Sequence, residues 1–381
     1  VTKAALLLAG TAAAVIVSAA AGASLHIARA LITPAGERPE RIRILAADDA
    51  TVTLHADEDT LSPGVFSLYW ENRAGHARIG RILSRQPAAG TVTRALEKVY
   101  SGVLEPGTSG YWSGYTYPTP EEAGLPSSEV WLPGPAPAWL VPGDDSRRWV
   151  IHIHGLGGRR ATGVRTAPLF HRLGYTQLLI SFAGDGDAPA TTDGKHHLGH
   201  TEVDDVHAAI DYAASHGADS IILSGWSMGA AMALAAAHTS PQKDRIDGLV
   251  LTAPVLDWNS TLSFNTAAAR LPVFLSGTAL WILRGPLYWL AGLNQPLKLN
   301  DLDFTSMKPE VPVLVLHSNA DTSTPISVSA KYAALHPDNV TLVRFPAGRH
   351  TQEWNTDPGL WERSVEHWLQ QCGQRRAYKP V

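Results

Sequence analysis

Five residues, Gly225-Trp226-Ser227-Met228-Gly229, form the pattern Gly-X-Ser-X-Gly, which can hold a serine hydroxyl ready for nucleophilic attack. In a chain with 33 glycines the pattern alone is weak, because chance supplies it readily. Its setting gives it weight. Ile221-Ile222-Leu223 reads as a buried strand leading in, and the run from Ala230 to Ala237 as a helix leading out. A sharp strand-to-helix turn strains the serine, needs glycine beside it and lifts Oγ above the sheet edge. The helix N-terminus then offers unpaired N–H groups and the positive end of its dipole to developing negative charge. The chemistry served is acyl transfer: Oγ attacks a carbonyl carbon, a base takes its proton, and N–H donors hold the oxyanion. The competing reading is a glycine-rich turn capped by a serine.

The surrounding elements suit that turn. From about Ser127, a hairpin is expected from Ser128-Glu129-Val130-Trp131-Leu132 and Ala138-Trp139-Leu140-Val141. Short buried-type strands then alternate with helical stretches. The strands are Trp149–Ile153, Gln177–Ser181, Ser220–Ser224, Gly248–Leu251, Val313–Leu316 and Val340–Val343, near-continuous apolar runs that suit a parallel sheet covered on both faces. Thr201-Glu202-Val203-Asp204 has the form of a capping box, with Gly217 as the stop of its helix. Trp361, Val365, Trp368, Leu369 and Cys372 share one face of the last helix, which makes Cys372 a core residue. Alternation of β and α elements predicts an α/β fold with a doubly wound, mostly parallel sheet over residues 126–381. Residues 40–110 carry β-branched and aromatic runs, such as Thr51–His55 and Val65–Trp70, and predict a small β-rich accessory region without a catalytic constellation. The aromatic connection Gly110–Pro118 is expected to pack on something and not to serve as a linker.

With these features, residues from about Ser127 onward resemble the α/β-hydrolase family, and most of all its bacterial membrane-associated esterase and acylaminoacyl-peptidase-like branch. The family's chain order is Ser, then acid, then His. The resemblance implies Asp321, in His317-Ser318-Asn319-Ala320-Asp321, as the acid; Asp257, after the preceding strand, is the rival. It implies His350, in Gly348-Arg349-His350, as the base. It implies the N–H groups of Leu156 and Met228 as the oxyanion hole, with His154-Gly155-Leu156-Gly157-Gly158 as the loop and His154 as its orienting side chain. In Ser181-Phe182-Ala183-Gly184-Asp185-Gly186 the chain departs from relatives, which often carry an Arg-Asn or Arg-Asp pair there. The resemblance requires no metal and no cofactor. A metal reading of His196, His197 and His200 with Asp185, Asp187 and Asp193 is therefore set aside.

Composition bounds the rest. The chain has 381 residues, 45% hydrophobic and 17% charged, with a formal net charge of −4, which supports a large core and gives no sign of a nucleic-acid partner. Cys372 is the only cysteine, so disulfides and Cys-based zinc sites within the chain are excluded. From Ala4 to Leu25 no side chain is charged, and about 20 apolar residues can span a bilayer. The run ends in Ala21-Gly22-Ala23, as a secretory signal does. Arg29, Arg38, Arg41 and Arg43 behind it weigh toward a cytoplasmic C-terminal side, the signal-like pattern toward export. Residues 1–30 are thus expected to be a signal or membrane-anchor helix. The competing reading is a buried core helix. The protein is expected at the cell membrane, extracytoplasmic and anchored, or secreted.

An apolar cap is expected near 257–305, with Leu271–Leu275, Trp281-Ile282-Leu283 and Leu287–Leu290. Such a cap suits an apolar acyl group below it or a surface resting on lipid. The function expected is a serine hydrolase that cleaves a carboxylic ester, with a lipid-like ester in view. A serine aminopeptidase or acylaminoacyl peptidase is the alternative within the class. A non-catalytic membrane-tethered binding protein on the same scaffold is the alternative outside it.

Overall fold

Runs of Val, Ile and Leu bounded by Gly, Pro and Asp form the strands, and Ala-rich or periodic stretches form the helices. A computed structural model describes residues 2–34, 36, 38–134 and 136–377, with side chains described for 17–34, 36, 38–134 and 136–372. The chain opens with helix α1 (Thr2–Ile32). Six strands follow: β1 (Ile42–Ala47), β2 (Thr51–His55), β3 (Phe66–Trp70), β4 (Gly75–Gln86), β5 (Thr91–Ser101) and β6 (Ser109–Ser113). They close into a barrel in the order β1-β2-β5-β4-β3-β6. Closure leaves the small sheet no open edge.

The barrel is filled by Ile44, Leu54, Phe66, Leu68 and Trp70. Arg94 is buried with them. Its guanidinium donates to the carbonyls of Thr60, Ser62, Gly64 and Gly80 at 2.7–2.9 Å, so the charge is dispersed over four backbone dipoles. The aromatic connection contributes Ser109–Ser113 as the closing strand, so part of it is sheet. Asn355 and Arg165 fasten the barrel to the rest. Asn355 Nδ2 donates to Val65 O (2.8 Å) and Gly114 O (3.1 Å), and Arg165 Nη1 to Gly114 O (3.2 Å).

The larger sheet has β7 (Ser128–Trp131), β8 (Pro137–Val141), β9 (Asp145–Ile153), β10 (Tyr175–Ile180), β11 (Ser220–Trp226), β12 (Ile246–Thr252), β13 (Val313–Ser318) and β14 (Val340–Phe345). Its order is β14-β13-β12-β11-β9-β10-β8-β7, parallel from β14 to β10 and antiparallel at β8 and β7. Helices α2 (Ala161–Val164), α3 (Ala167–Arg172), α4 (Val203–Ser215) and α5 (Met228–Thr239) come in its first half. Helices α6 (Trp258–Ala268) and α7 (Phe274–Arg284) form the cap between β12 and β13. Helices α8 (Ile326–Leu335), α9 (Glu353–Thr356) and α10 (Pro358–Ala377) complete it. This is the α/β-hydrolase fold with a β-rich accessory domain. One apolar core lies on the α4–α5 side; a second, with Phe170, Trp226, Trp361 and Trp368, lies on the other, and Cys372 packs against it.

Two expectations change. The capping box at Thr201 does not form. Glu202 instead folds back to accept the N–H groups of His197 (2.7 Å) and Gly199 (3.0 Å), two buried donors that need an acceptor. The second concerns α1. Among the described residues no helix is long and apolar enough to cross a membrane, so no transmembrane helix is found there. The part of the apolar run from Ala4 to Ile16 lies outside the residues whose side chains are described. Its end is part of the core. Ala28 and Ile32 are fully buried, Leu25, Ile27 and Leu31 pack beside them, and Arg29 donates to Leu290 O at 2.7 and 3.0 Å.

Candidate active site

Ser227 sits between the end of β11 and the start of α5 with φ 54° and ψ −116°, a conformation that side chains with a Cβ rarely adopt. The turn closes because neighbours on both sides lack side chains. A Cβ on Gly225 would lie 2.6 Å from Ala230 Cα, and one on Gly229 would lie 2.3 Å from the carbonyl oxygens of Ile153 and His154. The serine Oγ is therefore held at the C-terminal edge of the sheet, at the end of its central strands.

His350, in the loop after β14, places Nε2 2.8 Å from Ser227 Oγ. Its Nδ1 lies 2.8 Å from Asp321 Oδ2. Asp321 is buried, its side chain 1% exposed, while that of His350 is 20% exposed. Burial works to raise the Asp321 carboxyl. Hydrogen bonds from His317, His350 and the Ser323 N–H outweigh it and hold the group well below the usual carboxylate range. The carboxylate therefore stays charged behind the imidazole. The rival acid does other work: Asp257 caps α6, accepting from Asn259 N (2.9 Å) and Ser260 N (2.8 Å).

Leu156 and Gly155 lie beside the serine in the loop after β9, and Met228 is the first residue of α5, where a helix leaves N–H groups unpaired. Among the described residues neither the Leu156 nor the Met228 N–H takes part in a hydrogen bond. Its neighbours are occupied: Gly157 N donates to Asp185 Oδ2 (2.8 Å) and Gly158 N to Gly155 O (2.9 Å). His154 hydrogen-bonds Gly155 O through Nδ1 (2.9 Å) and stacks on Phe182, and burial lowers its pKa to about 4. It orients the loop as a neutral ring.

Sequence reasoning missed three residues that support this site. Asp185, which it met as a metal candidate and in the stretch that departs from relatives, pins the Gly157 end of the loop, and burial raises its carboxyl to about 7. His317, the penultimate residue of strand β13, places Nε2 3.3 Å from Asp321 Oδ2 and is fully buried. Glu353 accepts the Ser318 N–H (3.0 Å) beneath the acid, and burial and the Asp321 charge push it up to about 8. Of the three only His317 carried a local signal, an imidazole at the end of the apolar run Val313–Leu316. The histidine cluster is used in loop packing: His197 pairs with Asp193 (3.1 Å) and His196 N donates to Ile32 O (2.8 Å). Among the described residues no group of three or more His, Cys, Asp or Glu is arranged to hold a metal ion.

Ser227 and His350 line a cavity of about 540 Å³, walled by Leu156 and Val255, by Trp258 and Leu262 of the cap, and by Ile27 and Leu31 of α1. Several polar groups in the wall are already engaged. Asn265 Nδ2 donates to Thr261 O and Ser323 O, Thr266 Oγ1 to Leu262 O, and Thr324 Oγ1 to Asp321.

Residues 165–376, more than half of the chain, match the family model described as the prolyl oligopeptidase family. Residues 43–113, the barrel, match a domain of unknown function, DUF8805. No curated protein matches the sequence. Among solved structures, an esterase of Pyrococcus furiosus is similar with a TM-score of 0.50 at 18% identity, over 66% of this chain and 94% of that one. Mouse α/β-hydrolase domain-containing protein 10 gives 0.48 at 18% over 65% and 99%. Est1E from Butyrivibrio proteoclasticus, solved with ferulic acid bound, gives 0.48 at 18% over 64% and 98%. At such identity the likeness to the Pyrococcus esterase speaks to the fold alone.

Proposed function

The chain belongs to the prolyl oligopeptidase family and is a serine hydrolase on the α/β-hydrolase fold, and from that premise we propose that it cleaves a carboxylic ester with an apolar acyl group. The observation that carries this reading is the Ser227–His350 contact of 2.8 Å on the wall of an apolar cavity. Ser227 Oγ attacks the ester carbonyl while His350 Nε2 takes its proton. The tetrahedral oxyanion is held by the Leu156 and Met228 N–H groups, and Asp321 stabilises the imidazolium. His350 then protonates the departing alkoxide, leaving an acyl-enzyme. Water, deprotonated by the same imidazole, releases the acid and restores Ser227.

An ester is favoured over a peptide because a peptide needs free donors and acceptors along its backbone. Here Asn265, Thr266 and Thr324 spend their donors inside the wall. Family membership favours the second reading, a serine aminopeptidase or acylaminoacyl peptidase. Nitrophenyl esters of graded chain length and the matching nitroanilides separate the two. Esters are expected to be turned over at least about 100-fold faster in kcat/KM, nearly 3 kcal/mol of transition-state preference. Cleavage of the anilides with the esters untouched would reject the esterase.

The protein is further proposed to work at a lipid surface on the outer side of the cell membrane. The apolar N-terminal run with its Ala21-Gly22-Ala23 end supports this, as do Phe274 (63% exposed) and Trp281 (51%), two turns apart on one face of α7 beside α1. The full chain should float with phosphatidylcholine vesicles, and Phe274→Ser with Trp281→Ser should reduce that by several-fold. Protease added to intact cells should remove the protein. Equal flotation of variant and wild type would remove the cap's role.

A further inference from the structure

A second cavity, of about 470 Å³, shares Leu156 with the first and no other wall residue. Its character is opposite. Arg38, Arg73 and Arg159 line it together with Tyr111 and Tyr115, and Glu40 is the one carboxylate among the described residues of its wall. Glu40 is engaged, accepting the Asn72 N–H at 2.9 Å. Among the described residues none of the three guanidinium groups forms an ion pair. Elsewhere in this chain arginines beside carboxylates pair with them, as Arg160 does with Glu129 and Asp187. Three positive charges thus face one cavity against a single described carboxylate, with which none of them is paired.

The barrel bends its backbone to supply one of them. Glu71, Asn72 and Arg73 are three consecutive residues with φ of 51°, 51° and 76°, a left-handed run that side chains disfavour and that is kept where the surroundings enforce it. It delivers Arg73, whose Nε donates to Tyr111 Oη (2.8 Å) and whose guanidinium lies over the Tyr69 ring (5.7 Å). With Nε held by Tyr111, the two terminal nitrogens remain to form a fork. Such a fork matches the paired oxygens of a phosphate or carboxylate.

We propose that this cavity binds the anionic headgroup, a phosphate or a carboxylate, of an amphiphilic ester whose acyl chain occupies the apolar cavity. Leu156 lies where the two cavities meet, so a molecule filling both carries its scissile carbonyl past that residue's N–H. The barrel then acts as the headgroup reader for the catalytic domain. The acyl half of this assignment rests on the ester reading above; the cationic half does not.

Two measurements on the full chain separate these halves. The first compares kcat/KM for decanoyl glycerol phosphate with that for monodecanoylglycerol, and for decanoyl lactate with its methyl ester. The wild type should favour the charged member of at least one pair about tenfold or more, as one or two charge-assisted hydrogen bonds allow. The pair that shows the gap identifies phosphate or carboxylate. In Arg38→Gln with Arg159→Gln, whose side chains form no hydrogen bond among the described residues, the ratio should fall toward one. A ratio near one in the wild type, or one that survives in the variant, overturns the proposal. The second titrates the same ligands calorimetrically into Ser227→Ala protein. A charged-over-neutral gap that depends on the arginines, with no hydrolysis of any ester by the wild type, rejects the ester reading and keeps the anion site. No such gap rejects the anion site whatever the hydrolysis data show. Inorganic phosphate displacing the phosphate ester at equal concentration would make the cavity a free-anion site and end the headgroup assignment.

Discussion

Exchanging Ser227 for alanine is expected to lower kcat on any ester the protein turns over by about 10⁶-fold, with KM moving no more than a few-fold. The nucleophile and its base act as a unit, so loss of the serine removes nearly all that the constellation contributes. A residue of about 10³–10⁴ over the uncatalysed reaction should persist, from the oxyanion donors and from binding. The fold has little reason to suffer. The turn is set by the close approach of Gly225 and Gly229 to their neighbours, and no hydrogen bond of the serine side chain caps α5. The thermal midpoint should therefore stay within a few degrees of wild type. A fluorophosphonate probe reports the chemistry directly, labelling wild type and leaving the variant unlabelled. Labelling that persisted in the variant would put the nucleophile elsewhere.

Asp321→Asn should cost about 10⁴-fold in kcat, because an amide facing Nδ1 neither fixes the tautomer nor stabilises the imidazolium. Asp257→Asn is the paired control. Asparagine caps a helix nearly as well as aspartate, so α6 should hold and kcat should change by no more than a few-fold. The contrast follows from contacts already made. Asp321 Oδ2 is 2.8 Å from the imidazole, whereas both Asp257 oxygens are taken up by the first turn of α6. Steady-state kinetics on one chromogenic ester measures both. A larger loss at Asp257 than at Asp321 would transfer the role of acid to the residue after β12.

Much of this was legible before any coordinates, and the reason is local. Each strand of the large sheet is a short apolar run whose position needs no knowledge of its partners, and the serine turn announces itself by glycines that nothing else explains. The acid and the base were harder. Nothing in the residues around Asp321 or His350 says that they meet, 29 positions apart, on the same side of the sheet. Only the family's chain order suggested it. What escaped reading depends on distant parts of the chain. Asp185 matters because it reaches the N–H of Gly157, 28 residues earlier, and its own surroundings resemble an ordinary polar loop. Arg73 looks like a surface residue of a small barrel until the left-handed run turns it toward Arg159. The N-terminal run reads by composition as a signal or anchor, and nothing in an alanine-rich stretch marks the surface on which its last turns pack.

That helix has a further consequence for how the site comes into being. The carbonyl that Arg29 grips on the cap is 261 residues away in sequence, and Ile27 and Leu31 wall the cavity that holds the serine. Loops this long cost only slightly more entropy to close than short ones, but their partners must exist first. On the ribosome α1 emerges before every strand of the sheet, and it waits for a docking surface translated 261 residues later. Until then the nascent polypeptide can hold a serine turn with no chamber around it. A segment made before every strand of the sheet is therefore among the last to find its place, and the chamber around the serine is complete only once helix and cap have met.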